Sequence, residues 1–409
     1  MRPTAYLMTA AGTIVLLAVI TIVFTVFVDP YRMFGTPTVR GLTELKPRAF
    51  EQMGIAKTYQ LERIAPKILL LGNSRTEIGL DPMSGWFPPE QRPVFNAAYA
   101  GGDVCISLLM LRNAIAVRAP EMVILGVDFQ DALTVAIGLP EPDPPAASEP
   151  GGAERRLLVD QSGYPNPERE WQVWKDRMAA TLTIDALLDS LRTLLNQNPA
   201  RSATMTELGF NPLQEYRNFV ERSGYHKLFS VKNAEYRRRY GIAAKPDFAR
   251  PSPLAARRDW CFMALATLAM EHRIALILYI HPYHANFLDM LGYFGLWQSF
   301  ENWKRHLVAQ VASVDPGGNV IRLVDFSGYN QFTTEAVPAP GDTKSEMRWY
   351  WEPGHYKSAL GEHILERIIG GKMHFGRALE PANIETVLAE IREERDYFAR
   401  FSSVRTAGR

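Results

Sequence analysis

The sequence predicts a three-layer α/β fold: a parallel sheet covered on both faces, preceded by one transmembrane helix and interrupted by a long insertion. Three observations lead there. Strand-length apolar runs at 66–72, 93–96, 122–127, 274–280 and 319–325 alternate with helix-length segments. Runs apolar on both faces belong to parallel sheets packed between helices. Residues 3–28 form a stretch of 26 without a charge. Between the third and fourth runs, five prolines fall within 139–151, a composition that continues neither a helix nor a central strand.

Taken in chain order, Tyr6 to Val28 is dominated by Leu, Ile, Val, Ala, Thr and Phe. A helix of that length spans roughly 35 Å at ~1.5 Å per residue, enough for a hydrocarbon core of ~30 Å. Asp29-Pro30 ends it, and Tyr6 and Tyr31 stand where interfacial aromatics lie. A cleaved signal peptide needs small residues after the apolar run, whereas this run ends Val26-Phe27-Val28-Asp29. An uncleaved anchor, meeting the lipid bilayer through residues 6–28, is therefore expected. Arg32, Arg40, Lys46 and Arg48 follow it, which by the positive-inside rule favours a cytoplasmic body; long domains, however, translocate largely regardless of charge.

The soluble part opens with the strand at 66–72, closed by a turn, and a second strand at 93–96 before Gly101-Gly102. Val104–Val117 is apolar at helical spacing, and 122–127 reads as a third buried strand. Inside the insertion, 179–195 reads as one amphipathic helix, and 215–240 is polar and aromatic. That region serves either as a lid or recognition subdomain or as a surface elaboration. A helix at 253–272 precedes the fourth strand, and another starts near Tyr356. The tail at 381–401 places Ile384, Val387, Leu388 and Ile391 on one helical face. The expected division is an anchor at 1–32, a first half of the α/β domain at 33–133, the insertion at 134–250 and a second half at 251–409.

The composition narrows the function classes. Of 409 residues, 45 are Lys or Arg and 44 Asp or Glu, a net charge of +1, so there is no electrostatic footprint for nucleic acid. A hydrophobic share of 47% excludes wholesale disorder. Cys105 and Cys261 are too few for a disulfide framework, and whether they pair stays open.

In an open α/β sheet, ligands bind beyond the carboxyl ends of the strands. Gly72-Asn73-Ser74-Arg75-Thr76 lies at the end of the first strand, and Gly126-Val127-Asp128 at the end of the third. His281-Pro282-Tyr283-His284 ends the fourth, and Trp351-Glu352-Pro353-Gly354-His355-Tyr356 precedes the last helix of the domain. A serine hydroxyl becomes a nucleophile when a histidine, oriented by a carboxylate, takes its proton. Ser74 sits on a tight strand-to-helix turn, and Glu352 and His355 can be delivered by one loop. The plainer alternatives are a helix N-cap for Ser74 and a capping or surface role for His355.

Together these blocks resemble the SGNH/GDSL family of esterases and acetyltransferases, in particular its bacterial membrane-anchored members. The strand followed by Gly72-Asn73-Ser74 is similar to the family's first block. Asn96 with Gly101 or Gly102 matches the second, and Glu352-Pro353-Gly354-His355 matches the Asp-x-x-His of the last, with glutamate for aspartate. The resemblance covers roughly residues 60–130 and 270–370 and implies a flavodoxin-like SGNH fold. It implies catalysis by Ser74, His355 and Glu352, with Gly101 and Gly102 on the oxyanion side. In the third block the family has an asparagine that donates to the oxyanion. Asp128 stands there instead, and an ionised carboxylate facing an oxyanion would repel it.

Of the remaining candidates, Arg75 either holds a substrate carboxylate or pairs with Asp81. His281 and His284 either line the pocket, pack structurally, or bind metal; two histidines without further ligands leave the metal set incomplete, and no cofactor is expected. Trp351, with Trp349, Tyr350 and Tyr356, suits either stacking on a sugar or core packing. The resemblance implies a membrane-anchored esterase or O-acetyltransferase acting on an acyl ester of an exopolysaccharide or cell-envelope glycan. The body would be periplasmic, on the bacterial inner membrane. A transferase with one span would need a multi-pass partner to carry the acyl donor across. Asp128 favours a rival of another class, a non-catalytic tethered binding or assembly protein. A phosphate-binding role for the Ser74 turn lacks the Gly-x-x-x-x-Gly-Lys pattern.

Overall fold

The computed structural model describes residues 3–135, 154–199, 202, 205–241, 243–371 and 375–407. The proline-rich stretch 139–151 lies outside the described residues. In chain order the elements are α1 (Pro3–Val28), α2 (Met53–Ile64), β1 (Ile68–Leu71), α3 (Ser74–Gly79), β2 (Val94–Asn96), α4 (Val104–Val117), β3 (Met122–Val127) and β4 (Thr134–Val135). Then come α5 (Arg169–Leu182), α6 (Ile184–Leu195), α7 (Gln214–Tyr240), β5 (Ala243–Ala244), α8 (Pro253–Glu271), β6 (Ala275–Ile280), α9 (Ala285–Tyr293) and α10 (Trp297–Val314). The last are β7 (Ile321–Asp325), β8 (Tyr350–Glu352), β9 (His355–Tyr356), α11 (Ser358–Leu365), β10 (Arg377–Ala378) and α12 (Ile384–Ala407).

The central sheet has the order β10-β7-β6-β3-β1-β2. Neighbours from β7 to β2 pair in parallel, and only the edge strand β10 runs antiparallel, against β7. The protein is thus a mixed α/β molecule with a mainly parallel central sheet. Every residue of β1 is buried, as are all but the first of β3 and of β6, so both faces of these strands are covered, which is why their sequences do not alternate. From β1 the chain passes to β2 on one side, while β3 lies on the other. The crevice past the carboxyl ends of β1 and β3 is therefore the topological switch point, where open α/β sheets hold ligands.

Local chemistry starts the helices where the sheet needs them. Asp103 caps α4, its carboxylate accepting from the N–H groups of Cys105 at 2.9 Å and Ile106 at 3.3 Å. Ser252 caps α8, with Pro253 at the first helical position. Beneath the sheet's far half, Lys304 Nζ donates to Asp325 at 2.7 Å and to Ser327 Oγ at 2.7 Å, all buried. Cys105 on α4 and Cys261 on α8 form a disulfide. The tail helix buries Ile384, Val387, Leu388 and Ile391 along one face.

The chain divides into two compact units, one made of residues 1–64 and 145–215, the other of 65–144 and 216–409. The first holds α1, α2, α5 and α6. One helix of the described residues, α1, is long and apolar enough to cross a membrane. It buries only Thr25 and Val28, at its carboxyl end. Along α1 the hydroxyls of Thr9, Thr13, Thr21 and Thr25 donate to carbonyls one turn back, so these polar atoms are satisfied without water. Where one amphipathic helix was expected at 179–195, two stand instead. They break at Thr183, whose hydroxyl caps α6 by accepting from Ala186 N–H at 3.1 Å. The 215–240 region forms α7, interrupted at Gly224, where φ is +75°. A Cβ there would lie 2.3 Å from the Asp342 carbonyl oxygen, so only glycine fits the kink.

Candidate active site

Strand β1 ends against a turn that admits little but glycine. Gly72 has φ +134°, and a Cβ on it would meet Thr76 Oγ1 at 2.5 Å and the Gly126 carbonyl oxygen at 3.0 Å. Asn73 follows in an extended conformation and caps α3, its Oδ1 accepting from Arg75 N–H at 3.0 Å. Asn96, at the end of β2, donates from Nδ2 to the carbonyls of Thr76 at 3.0 Å and Leu80 at 2.9 Å. It props α3. Ser74 is the first residue of that short helix, half-buried where the sheet ends.

The second half of the site comes from a hairpin. Strands β8 and β9 pair across Pro353-Gly354, with Glu352 opposite His355. The Ser74 hydroxyl and His355 Nε2 are 2.8 Å apart, and His355 Nδ1 is hydrogen-bonded to Glu352 Oε1. With Nδ1 donating to the carboxylate, Nε2 is left to accept the serine proton. Glu352 is fully buried and also accepts from Gly354 N–H at 2.8 Å. The Tyr236 hydroxyl approaches its two oxygens at 3.5 and 3.4 Å. Burial by itself would raise this carboxyl. The charge and hydrogen bond of His355, the Gly354 N–H and the Arg75 charge outweigh it and hold Glu352 below the usual carboxylate range.

Asp128 and Arg75 form a buried pair behind the serine. Both are 2% exposed, and Arg75 Nη1 donates to Asp128 Oδ2. The same carboxylate accepts from Asn73 Nδ2 at 2.6 Å, the Tyr283 hydroxyl at 3.0 Å and Gln130 N–H at 3.0 Å. Burial opposes its ionisation, but Arg75, the Gln130 N–H and Asn73 prevail and bring its pKa down to about 2. Both oxygens of Asp128 are thus occupied in supporting the turn, and it offers no donor to an oxyanion. Arg75 pairs with Asp128 rather than Asp81, and Nε donates to the Gly354 carbonyl at 2.7 Å. Its guanidinium lies over the rings of Tyr283 and Phe287, at 5.3 and 5.6 Å.

Ser74, His355, Gly101 and Gly102 border one cleft of about 250 Å³. Gly102 N–H is committed to the Tyr99 carbonyl at 2.8 Å, which takes it out of the oxyanion set. The N–H groups of Ser74 and Gly101 have no protein acceptor among the described residues. His281, His284 and Trp351 are not brought to this cleft. His281 is fully buried beside Tyr279, its ring centroid 5.0 Å from that of Tyr279, and burial pushes its pKa down to about 3. His284 caps α9 through Nδ1, which accepts from Asn286 N–H at 3.1 Å, while Nε2 donates to the Glu335 carbonyl at 2.9 Å. Trp351 is buried under Lys357, whose Nζ lies 4.4 Å from the ring. Among the described residues no cluster of three His, Cys, Asp or Glu side chains stands ready to hold a metal ion.

The facing wall was not foreseen from sequence. Lys232, Tyr236 and Arg239 reach the cleft from α7, and Arg258 from α8. Lys232 pairs with Glu235 at 2.8 Å and Arg258 with Asp103 at 3.1 Å, whereas Arg239 has no ion-pair partner among the described residues. Asp131 and Arg258 also border a second, largely apolar cavity of about 280 Å³ lined by Phe248, Phe262, Trp303 and Leu307. Set between the two, the Asp131 carboxyl is pushed up to about 8 by burial and by the charges of Asp128 and Asp103. The one available signal was the aromatic and basic run of 215–240, ending Tyr236-Arg237-Arg238-Arg239-Tyr240. No protein-family model matches the chain, and no curated protein matches it.

Proposed function

We propose that this protein is a membrane-anchored SGNH-like serine esterase or O-acyltransferase acting on acyl esters of an envelope or extracellular glycan. The observation that carries the reading is the hydrogen-bonded chain Ser74–His355–Glu352 at the switch point of a parallel sheet. In the reaction, His355 Nε2 takes the Ser74 proton as Oγ bonds to the ester carbonyl carbon. The N–H groups of Ser74 and Gly101 receive the oxyanion. As the tetrahedral intermediate collapses, the ester C–O bond breaks and His355 returns the proton to the departing sugar oxygen. Water or another sugar hydroxyl then attacks the acyl-serine by the same steps in reverse.

The polar, charged cleft wall suits a hydrophilic alcohol such as a sugar, with Arg239, which has no ion-pair partner among the described residues, facing its oxygens. The Cys105–Cys261 disulfide supports an extracytoplasmic body, because such bonds persist in oxidising compartments. A transferase role would require a multi-pass partner supplying the acyl donor. The non-catalytic alternative draws on Asp128. Arg75 and Asn73 hold its carboxylate, which supports the catalytic reading against repulsion of an oxyanion, while the missing donor at this position remains the feature that favours the alternative.

The test is a fluorophosphonate probe on the intact protein, with the adduct mapped by mass. Labelling of Ser74, absent in Ser74→Ala, is expected, together with turnover of p-nitrophenyl acetate. A folded protein that neither labels nor turns over this ester would overturn the proposal.

A further inference from the structure

Helix α6 is built inside out. Its buried face carries Ala186, Asp189, Ser190 and Thr193. The opposite face presents Ile184, Leu188, Leu191 and Leu195, of which Ile184 and Leu195 are 77% and 84% exposed. A surface helix of a water-soluble body shows the reverse, an apolar stripe inward and polar groups outward. The inward polar face is well satisfied. Asp189 accepts from the Tyr31 hydroxyl at 2.8 Å and pairs with Arg48 at 3.1 Å and Arg192 at 2.9 Å. Ser190 and Thr193 hydroxyls donate to carbonyls one turn back. The orientation is therefore held by specific bonds, and the outward stripe calls for an apolar medium.

The surroundings identify that medium. Both α5 and α6 pack on α1, and Thr25 Oγ1 of α1 donates to the Thr181 carbonyl of α5 at 3.3 Å. Thr25 lies within the last turn of α1, so the α5–α6 junction at Leu182–Ile184 stands level with the place where α1 ends. Toward its amino end, α5 exposes Trp171 and Trp174, stacked with centroids 4.8 Å apart, with Lys175 Nζ 5.8 Å from the Trp171 ring. Tryptophans flanked by cations are the side chains that settle at the headgroup level. At 12 residues, α6 reaches only ~18 Å, too short to cross a hydrocarbon core of ~30 Å. A helix of that length with one apolar face lies in the interface plane, its stripe sunk ~5–10 Å among the acyl chains.

We propose that α6 is an interfacial helix. Its Ile184–Leu188–Leu191–Leu195 face is immersed in the same bilayer leaflet from which α1 emerges, so the chain meets the membrane over a surface and not only through one span. Asp185 and Arg192, both exposed, lie along one edge of the stripe, where charged groups meet the headgroups. The inference rests on reading α1 as the bilayer-spanning anchor, and the experiment separates the two.

The test uses the full chain in phosphatidylcholine vesicles, with single cysteines introduced as Leu16→Cys in α1 and as Ile184→Cys or Leu191→Cys in α6. The native cysteines are disulfide-bonded, so an environment-sensitive fluorophore attaches only to the new thiol. Lipids bearing a nitroxide quencher at a shallow or a deep acyl position then report depth. The Leu16 label should lose most fluorescence to the deep quencher, and both α6 labels to the shallow one. Leu16 quenched while both α6 labels stay bright and water-exposed would overturn the interfacial helix and leave the anchor standing. An unquenched Leu16 label would overturn the anchor and the inference with it. Labels on α6 that are shielded from water but insensitive to lipid quenchers would mean that a second copy or another membrane protein covers the face, which also overturns it.

Discussion

Arg75 Nε donates to the carbonyl oxygen of Gly354 at 2.7 Å, so the residue beside Ser74 grips the hairpin that carries Glu352 and His355. Its other arm holds Asp128 at the end of β3. One guanidinium thus ties together the three loops that meet at the cleft, through a planar fork that lysine lacks. Arg75 thereby links the turn that carries Ser74 to the hairpin that carries His355.

Removing Arg75 leaves the Asp128 carboxylate buried without its cation. Arg75→Ala is expected to destabilise the fold by about 3–5 kcal/mol, while Arg75→Ala with Asp128→Asn together costs less than the sum of the two. Urea denaturation of the single and double variants measures both.

Ser74→Ala should abolish ester turnover, leaving at most the background that binding and oxyanion donors provide, a fall of roughly 10⁴-fold or more. Glu352→Gln keeps the shape but favours the wrong imidazole tautomer, and kcat should drop by about 10³–10⁴. Steady-state rates, with circular dichroism confirming the fold, check both.

Asp131 gives the stability a pH slope. Its folded pKa of about 8 lies above the unfolded value of ~3.9, so the folded state binds the proton more tightly. The resulting stabilisation is fully present below the unfolded pKa and declines as pH rises. It is gone above the folded one. Asp131→Asn should therefore flatten the slope and, near pH 8, gain about 1–2 kcal/mol over the parent after allowance for solvent screening. Melting curves across that pH range provide the comparison.

The two cysteines should be silent toward maleimide in the unfolded protein until a reductant is added, and both should react afterwards. Cys105→Ser is expected to lower stability by about 2–4 kcal/mol, since the bond spans 156 residues of chain. Mass spectrometry of alkylated samples and thermal melts test the two parts.

The strands were legible because a doubly covered parallel strand leaves an unbroken apolar run, as at Ile68–Leu71 and Met122–Val127. Ser74 was legible as the residue at the carboxyl end of a buried strand, and Glu352 with His355 as a pair three residues apart that one turn delivers together. The structure puts that pair on a separate hairpin, β8–β9. What failed to show were partnerships that only three dimensions create. Asp81 stands close to Arg75 in sequence, yet Asp128, 53 residues on, is the group at the guanidinium. The 179–195 segment reads as amphipathic, but periodicity does not say which face turns inward, and here the polar one does. His281 and His284 lie at the correct end of β6 and turn into the core instead of the cleft. Tyr236 and Arg239 come from the insertion, whose sequence carries no strand-length apolar run to announce where it returns.

The bond between Cys105 and Cys261 closes a covalent ring, and everything between those residues, including all of α5, α6 and α7, is part of that ring. A protease that cuts once anywhere inside it severs the backbone without separating the pieces. Such a nick would show as two fragments only after reduction, and the sulfur link would still join the Ser74 and His355 sides of the cleft.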